Sequence, residues 1–202
     1  MSRRTLRFER TGVLVGALVL VLLPSVAQAH TGSIGGFWAG FLHPLGGIDH
    51  VLAMLAVGIW GAQLGPPALW ILPVAFPMVM ALGGVAGIIG LPVPWVELGI
   101  AMSVIVLGSM IALDQRPPLW VAALLVAFFA IFHGYAHGLE LPGQVGAVEY
   151  SAGFVLSTGL IHLTGILIGF VIKLPSGLHI LRAGGTVIVI IGLYLAASLL
   201  LA

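Results

Sequence analysis

The stretch LWVAALLVAFFAIFHGYAHGLE, Leu119 to Glu140, opens as an unbroken apolar run and closes on His133, His137 and Glu140. A helix of about twenty apolar residues covers the roughly 30 Å hydrocarbon thickness of a bilayer. Histidines and a glutamate near its end are therefore costly unless they serve one another or a ligand. Their i, i+4, i+7 spacing puts all three in a narrow stripe on one helix face, where they can converge on a single ion. Gly134 and Gly138 strip side chains from an adjacent face and let a second helix approach.

A second polar cluster, HPLGGIDH from His43 to His50, lies in another apolar run. Pro44, Gly46 and Gly47 should break the helix there, so that His43, Asp49 and His50 point into a cavity rather than into lipid. A half-helix starting near Ile48 or Asp49 also admits a structural role for Asp49 as an N-cap. Met54, one turn after His50, adds a soft ligand or simply packs.

Only 6% of the 202 residues are charged and 60% are hydrophobic, with a mean hydropathy of +1.22. That composition excludes a soluble globule and predicts an all-α, polytopic membrane protein. With no cysteine in the chain, disulfides and thiolate metal sites are ruled out. Imidazole and carboxylate remain as the main ligand chemistry.

Residues 1–29 have the pattern of a secretory signal peptide. Arg3, Arg4, Arg7 and Arg10 precede a short apolar run from Val13 to Leu23, then Pro24 and the small-x-small site Ala27-Gln28-Ala29. Cleavage would start the mature chain at His30, whose α-amine and imidazole together can chelate a metal. The rest, 30–202, is expected to be one six-helix transmembrane domain. Its apolar runs, about 37 to 63, 68 to 90, 95 to 113, 118 to 138, 147 to 172 and 178 to 201, are separated by QLGPP, LPVPW, DQRPP, LELPGQVGAVE and KLPSGLH.

Charge tests this arrangement. From an outside start, six crossings put QLGPP, DQRPP and KLPSGLH in the cytoplasm. The only basic residues after the leader, Arg116, Lys173 and Arg182, all fall at those ends. Glu97, Glu140 and Glu149 fall on the other side, so both mature termini should be external. Gly36/Gly40, Gly61/Gly65, Gly83/Gly87, Gly134/Gly138 and Gly165/Gly169 have the spacing of close helix contacts. Trp60, Trp70, Trp95 and Trp120 lie near segment ends, where amphipathic rings favour the interface.

By this topology the two clusters lie on the same outward side. Four imidazoles and two carboxylates suit Ni²⁺, Co²⁺, Zn²⁺, Fe²⁺ or Cu²⁺, and affinity order alone does not choose among them. Of the remaining groups, Glu97 extends an acidic entry path or is a solvated acid at a helix N-terminus. His162, after Ser157 and Thr158 in mid-membrane, fits a second station and a packed neutral histidine equally. Asp114 and Arg116 read as a cytoplasmic turn, and His179 as interfacial.

The HxxxxxDH pattern of His43, Asp49 and His50, together with Phe132-His133-Gly134-x-Ala136-His137-Gly138-x-Glu140, resembles the paired motifs of the HupE/UreJ family. Signal peptide, six segments and length are similar as well. The resemblance implies a nickel permease of the bacterial inner membrane with periplasmic termini, supplying hydrogenase or urease maturation, with cobalt carried by some relatives. It implies that His43, Asp49, His50, His133, His137 and Glu140 bind or pass the ion, with His30, Met54, Glu97 and His162 as candidates along the path. The metal is then cargo and not a permanently bound cofactor; lipid is the other partner, and no nucleic acid is expected.

The alternative is an intramembrane zinc hydrolase built on the same cluster. HExxH is absent and neither cluster contains a serine as nucleophile. A haem carrier would leave Asp49 and Glu140 unexplained. No Walker A sequence is present, so ATP drive within the chain is not expected. A negative-inside potential would instead contribute about 4.6 kcal/mol per 100 mV to a divalent ion crossing the full field.

Overall fold

The computed structural model describes residues 35–140 and 147–201. The leader, its cleavage site and His30 lie outside the described residues. All six apolar runs are helical, and no strand occurs among the described residues. The elements are α1 (Gly36–Leu42), α2 (Ile48–Leu64), α3 (Ala68–Ile88), α4 (Val96–Ala112), α5 (Leu119–Leu139), α6 (Ala147–Gly169) and α7 (Gly177–Leu201), with 3₁₀ turns at His43–Leu45 and Phe170–Lys173.

The expected break in the first run is present. Pro44 sits in the first positions of the 3₁₀ turn, where its missing N–H leaves no bond unmade, and Gly47 takes an extended conformation as the N-cap of α2. The chain bends by 78° between Gly36–Leu45 and Ile48–Leu64. The N-cap role considered for Asp49 thus falls to Gly47. Asp49 lies inside the first turn, where its negative charge complements the helix dipole.

Four helices are long and apolar enough to cross a bilayer, and the bent α1–α2 pair passes the same test as a unit. The 17 residues of α4 reach about 26 Å, a little short of the roughly 30 Å apolar thickness. Four or five segments thus suit a multi-pass membrane protein by length and composition, and the shorter apolar α4 accounts for the remaining one of the six apolar runs.

At the centre runs α2, buried from Val51 through Gln63 on every side. A helix apolar all round belongs in the middle of a bundle. Against it pack α3, α4 and α6, while α3 pairs with α5, α4 with α7, and α1 with α6. Outer faces carry exposed Leu82, Val85, Leu124, Leu167, Leu193 and Leu200, as suits lipid contact.

Glycine explains how closely these helices meet. A Cβ on Gly134 would overlap the Met80 carbonyl, one on Gly138 the Gly84 carbonyl, and one on Gly58 the His162 carbonyl. Backbone packed on backbone leaves no room for a methyl group, and shape-matched small residues supply association where water provides no drive. Gly65 departs from the packing expectation: with a φ of +76° and open space around it, it ends α2 in a conformation that side chains disfavour.

Trp60 also departs from its expected place. It is fully buried, with its indole N–H donating to the Gln115 carbonyl at 3.0 Å, because its position on the central helix leaves it no exposed face. Trp70, Trp95 and Trp120 are exposed as expected of interfacial rings. Asp114 and Arg116 form their turn, with an N–O distance of 3.2 Å. Arg182 donates to the Ala112 carbonyl at 2.9 Å, next to that turn. His137 lies about 27 Å along α5 from Leu119, at the opposite end from these cations.

Candidate metal centre

Three elements bring the two motifs together: the 3₁₀ turn with His43, the first turn of α2 with Asp49 and His50, and the last turns of α5 with His133, His137 and Glu140. His133 and His137 are buried on the inner face of α5, whereas Glu140, just past its last turn, is exposed. The stripe expected from the spacing is thus half interior and half mouth.

The outer group consists of His43, His137 and Glu140. His43 Nε2 lies 2.9 Å from His137 Nδ1 and 3.1 Å from Glu140 Oε2. His137 Nδ1 and Glu140 Oε2 are 4.0 Å apart. One ligand atom from each residue falls within 4.8 Å of the others, a span that a single ion can fill. Two imidazoles and a carboxylate make a three-ligand set of the kind that divalent first-row metals accept, with open positions left for water.

An inner group shares His137. Its ring centroid is 4.4 Å from that of His50, and His50 is 4.7 Å from His133. His50 Nδ1 donates to Asp49 Oδ1 at 2.8 Å, and the same oxygen accepts the His50 backbone N–H at 2.7 Å. Asp49 therefore acts on His50 rather than joining the outer group. A carboxylate on the far nitrogen fixes the ring and makes the other nitrogen a better ligand. His50 Nε2, His133 Nδ1 and His137 Nε2 are all buried without a hydrogen-bond partner, a costly arrangement for polar atoms unless a ligand visits them.

The remaining candidates fall outside these two groups. Met54 is fully buried in the apolar core cluster. Glu97 is exposed in the first turn of α4. His162 is buried, with Nδ1 donating to the Thr158 carbonyl at 2.9 Å and Nε2 unpartnered. The Phe76 ring lies 5.4 Å from both His133 and His162, so a single aromatic side chain separates the inner group from the deeper histidine.

Two kinds of neighbour went unforeseen. Tyr150 and Phe154 of α6 wall the outer group, with Phe154 4.7 Å from His137 and Tyr150 5.7 Å from His43. Ser103 of α4 touches His133, Oγ to Nε2 at 2.9 Å. The expectation that no serine accompanies the histidines holds along the chain but not in space. Its only sequence signal is a hydroxyl inside the apolar run of α4.

The family model described as HupE / UreJ protein matches residues 18–195. Protein HupE of Rhizobium leguminosarum bv. viciae is 43% identical over 176 residues, covering 87% of this chain and 92% of the relative. No solved structure matches. With paired motifs folded into one polar cluster and a match along nearly its whole length, the chain belongs to the HupE/UreJ family.

Proposed function

We propose that this protein is a permease importing a divalent transition-metal ion, Ni²⁺ first and Co²⁺ as the nearest competitor, through the His/Asp/Glu cluster. HupE/UreJ is a nickel/cobalt transporter family, which supports the cargo class. The observation that carries the reading is the convergence of His43, His137 and Glu140 within 4.8 Å, directly above buried imidazole nitrogens that have no partner.

In this reading Glu140 at the mouth collects a hydrated ion, which exchanges water for His43 and His137, then passes to His50 and His133. Asp49 holds His50 in its ligating orientation. Movement past Phe76 brings the ion to His162, and the broken α1–α2 span supplies the joint about which the bundle rocks. Met54, Glu97 and His30 are kept as path candidates of lower rank. We further propose six crossings of the bacterial inner membrane after removal of residues 1–29, with both mature termini periplasmic; Arg116, Lys173 and Arg182 at the ends remote from the cluster support that orientation. A contribution to hydrogenase or urease maturation follows from the kind of ion carried.

The zinc hydrolase alternative gains little from Ser103. Its hydroxyl donates to the Ile100 carbonyl at 2.6 Å, so His133 is not placed to take that proton as a general base. The discriminating experiment is radiolabelled nickel uptake by cells expressing the wild type, His50→Ala and His137→Ala, with Co²⁺ and Zn²⁺ as competitors. Uptake lost in both variants and suppressed by Co²⁺ supports the permease. A purified protein that binds the ion but moves none across a vesicle wall would overturn it.

A further inference from the structure

Ser103 has one hydrogen to give, and that hydrogen is committed. Its Oγ is 2.6 Å from the Ile100 carbonyl, which can only accept. The contact of 2.9 Å between the same oxygen and His133 Nε2 must then run the other way, with the imidazole N–H donating. A neutral imidazole carries a single N–H. Nδ1 of His133 is consequently a bare lone pair, and it is one of the buried atoms without a partner.

His50 shows the mirror arrangement. Its Nδ1–H donates to Asp49, and its Nε2 is bare and buried. The two rings meet edge to face at 4.7 Å. Each of these histidines thus has one nitrogen fixed as a donor by a neighbour on the protein and the other stripped for a ligand. For His50 the neighbour is in the motif itself. For His133 it comes from a different helix, outside either motif.

We propose that Ser103 is a positioning residue which, by accepting the Nε2–H of His133, holds that imidazole in the tautomer whose Nδ1 can ligate the transported ion. This rests on the permease reading for its consequence but not for its geometry. Without the hydroxyl, neither nitrogen of His133 has a polar partner, and the two tautomers lose the bias between them. In the Nδ1–H form a hydrogen occupies the position where a cation must bind. Losing such an outer partner of a metal-ligating histidine typically weakens metal binding about 10- to 100-fold.

The test uses the full chain in proteoliposomes with Ni²⁺ as the probe, comparing wild type, Ser103→Ala and Ser103→Thr. Spectra of ¹⁵N-histidine-labelled protein, assigned by comparison with His133→Gln, report which nitrogen of His133 carries hydrogen. The wild type should show Nε2–H. Ser103→Ala should show a mixture or the Nδ1–H form and a half-saturating Ni²⁺ concentration raised about 10- to 100-fold, with maximal flux changed far less. Ser103→Thr, which restores a hydroxyl, should recover both readouts.

An Nδ1–H signal in the wild type overturns the proposal, even if neither variant folds. So does a Ser103→Ala protein whose spectrum and half-saturation equal those of the wild type. A wild-type protein that shows Nε2–H yet carries no nickel sinks the permease reading instead, while the spectrum upholds the positioning by Ser103.

Discussion

His43 Nε2 and His137 Nδ1 lie 2.9 Å apart although 94 positions separate them in the chain. The Glu140 carboxylate lies 3.1 Å from His43 Nε2 and 4.0 Å from His137 Nδ1. Two imidazoles facing one carboxylate in this way leave a point where a cation gains all three lone pairs at once. His137 belongs to this outer group and, through its ring against His50, to the inner one. His137→Ala should therefore reduce nickel uptake more than His43→Ala or Glu140→Gln. Initial uptake rates at sub-saturating Ni²⁺ check this ranking, and equal losses in all three variants would contradict a shared role for His137.

Asp49→Asn keeps the shape of the side chain but removes the charge that polarises His50. The half-saturating Ni²⁺ concentration should rise about 10- to 100-fold. If Asp49 acts through His50, adding Asp49→Asn to His50→Ala should cost almost nothing more, because coupled residues are not additive. Additive losses in that double-variant cycle would point to direct ligation by Asp49.

Gly47→Ala tests the joint that carries the pair. A Cβ there would stand 2.6 Å from Asp49 Oδ1 and 2.9 Å from His50 Nδ1, so the carboxylate must swing away from the imidazole. Uptake should fall as in Asp49→Asn while the protein still inserts and purifies as a single species. Wild-type uptake by Gly47→Ala would show that the Asp49–His50 contact is dispensable.

Gly134→Ala and Gly159→Ala separate packing glycines from incidental ones. The first would drive a methyl group into the Met80 carbonyl, whereas nothing lies within 4 Å of the second. Thermal unfolding in detergent should show Gly134→Ala destabilised by about 1–3 kcal/mol. Gly159→Ala, in an exposed helix interior, should be neutral or more stable by up to about 1 kcal/mol.

Much of the fold was legible because a bilayer leaves the backbone few choices. Apolar runs bounded by QLGPP, LPVPW, DQRPP and KLPSGLH had to be helices, since only a helix satisfies its own hydrogen bonds within one segment, and their ends agree with the structure to within a few residues. The break at Pro44 to Gly47 followed from residues that cannot continue a helix. Trp60 and Gly65 misled for a common reason. Position near a segment end does not say which way a side chain faces, or whether a glycine sits at a contact or in a turn.

The sequence by itself determined the class of protein, the helical segments and the two polar motifs, because hydropathy and periodicity act locally and need no partner. Tertiary structure decided what those motifs do to one another. It split six candidate ligands into an outer trio and an inner group, gave Asp49 to His50, put Phe76 between His133 and His162, and brought Ser103 to His133 from another helix. Such assignments depend on which helix faces meet, and that is settled by glycine-mediated contact between segments distant in the chain, which no local pattern encodes.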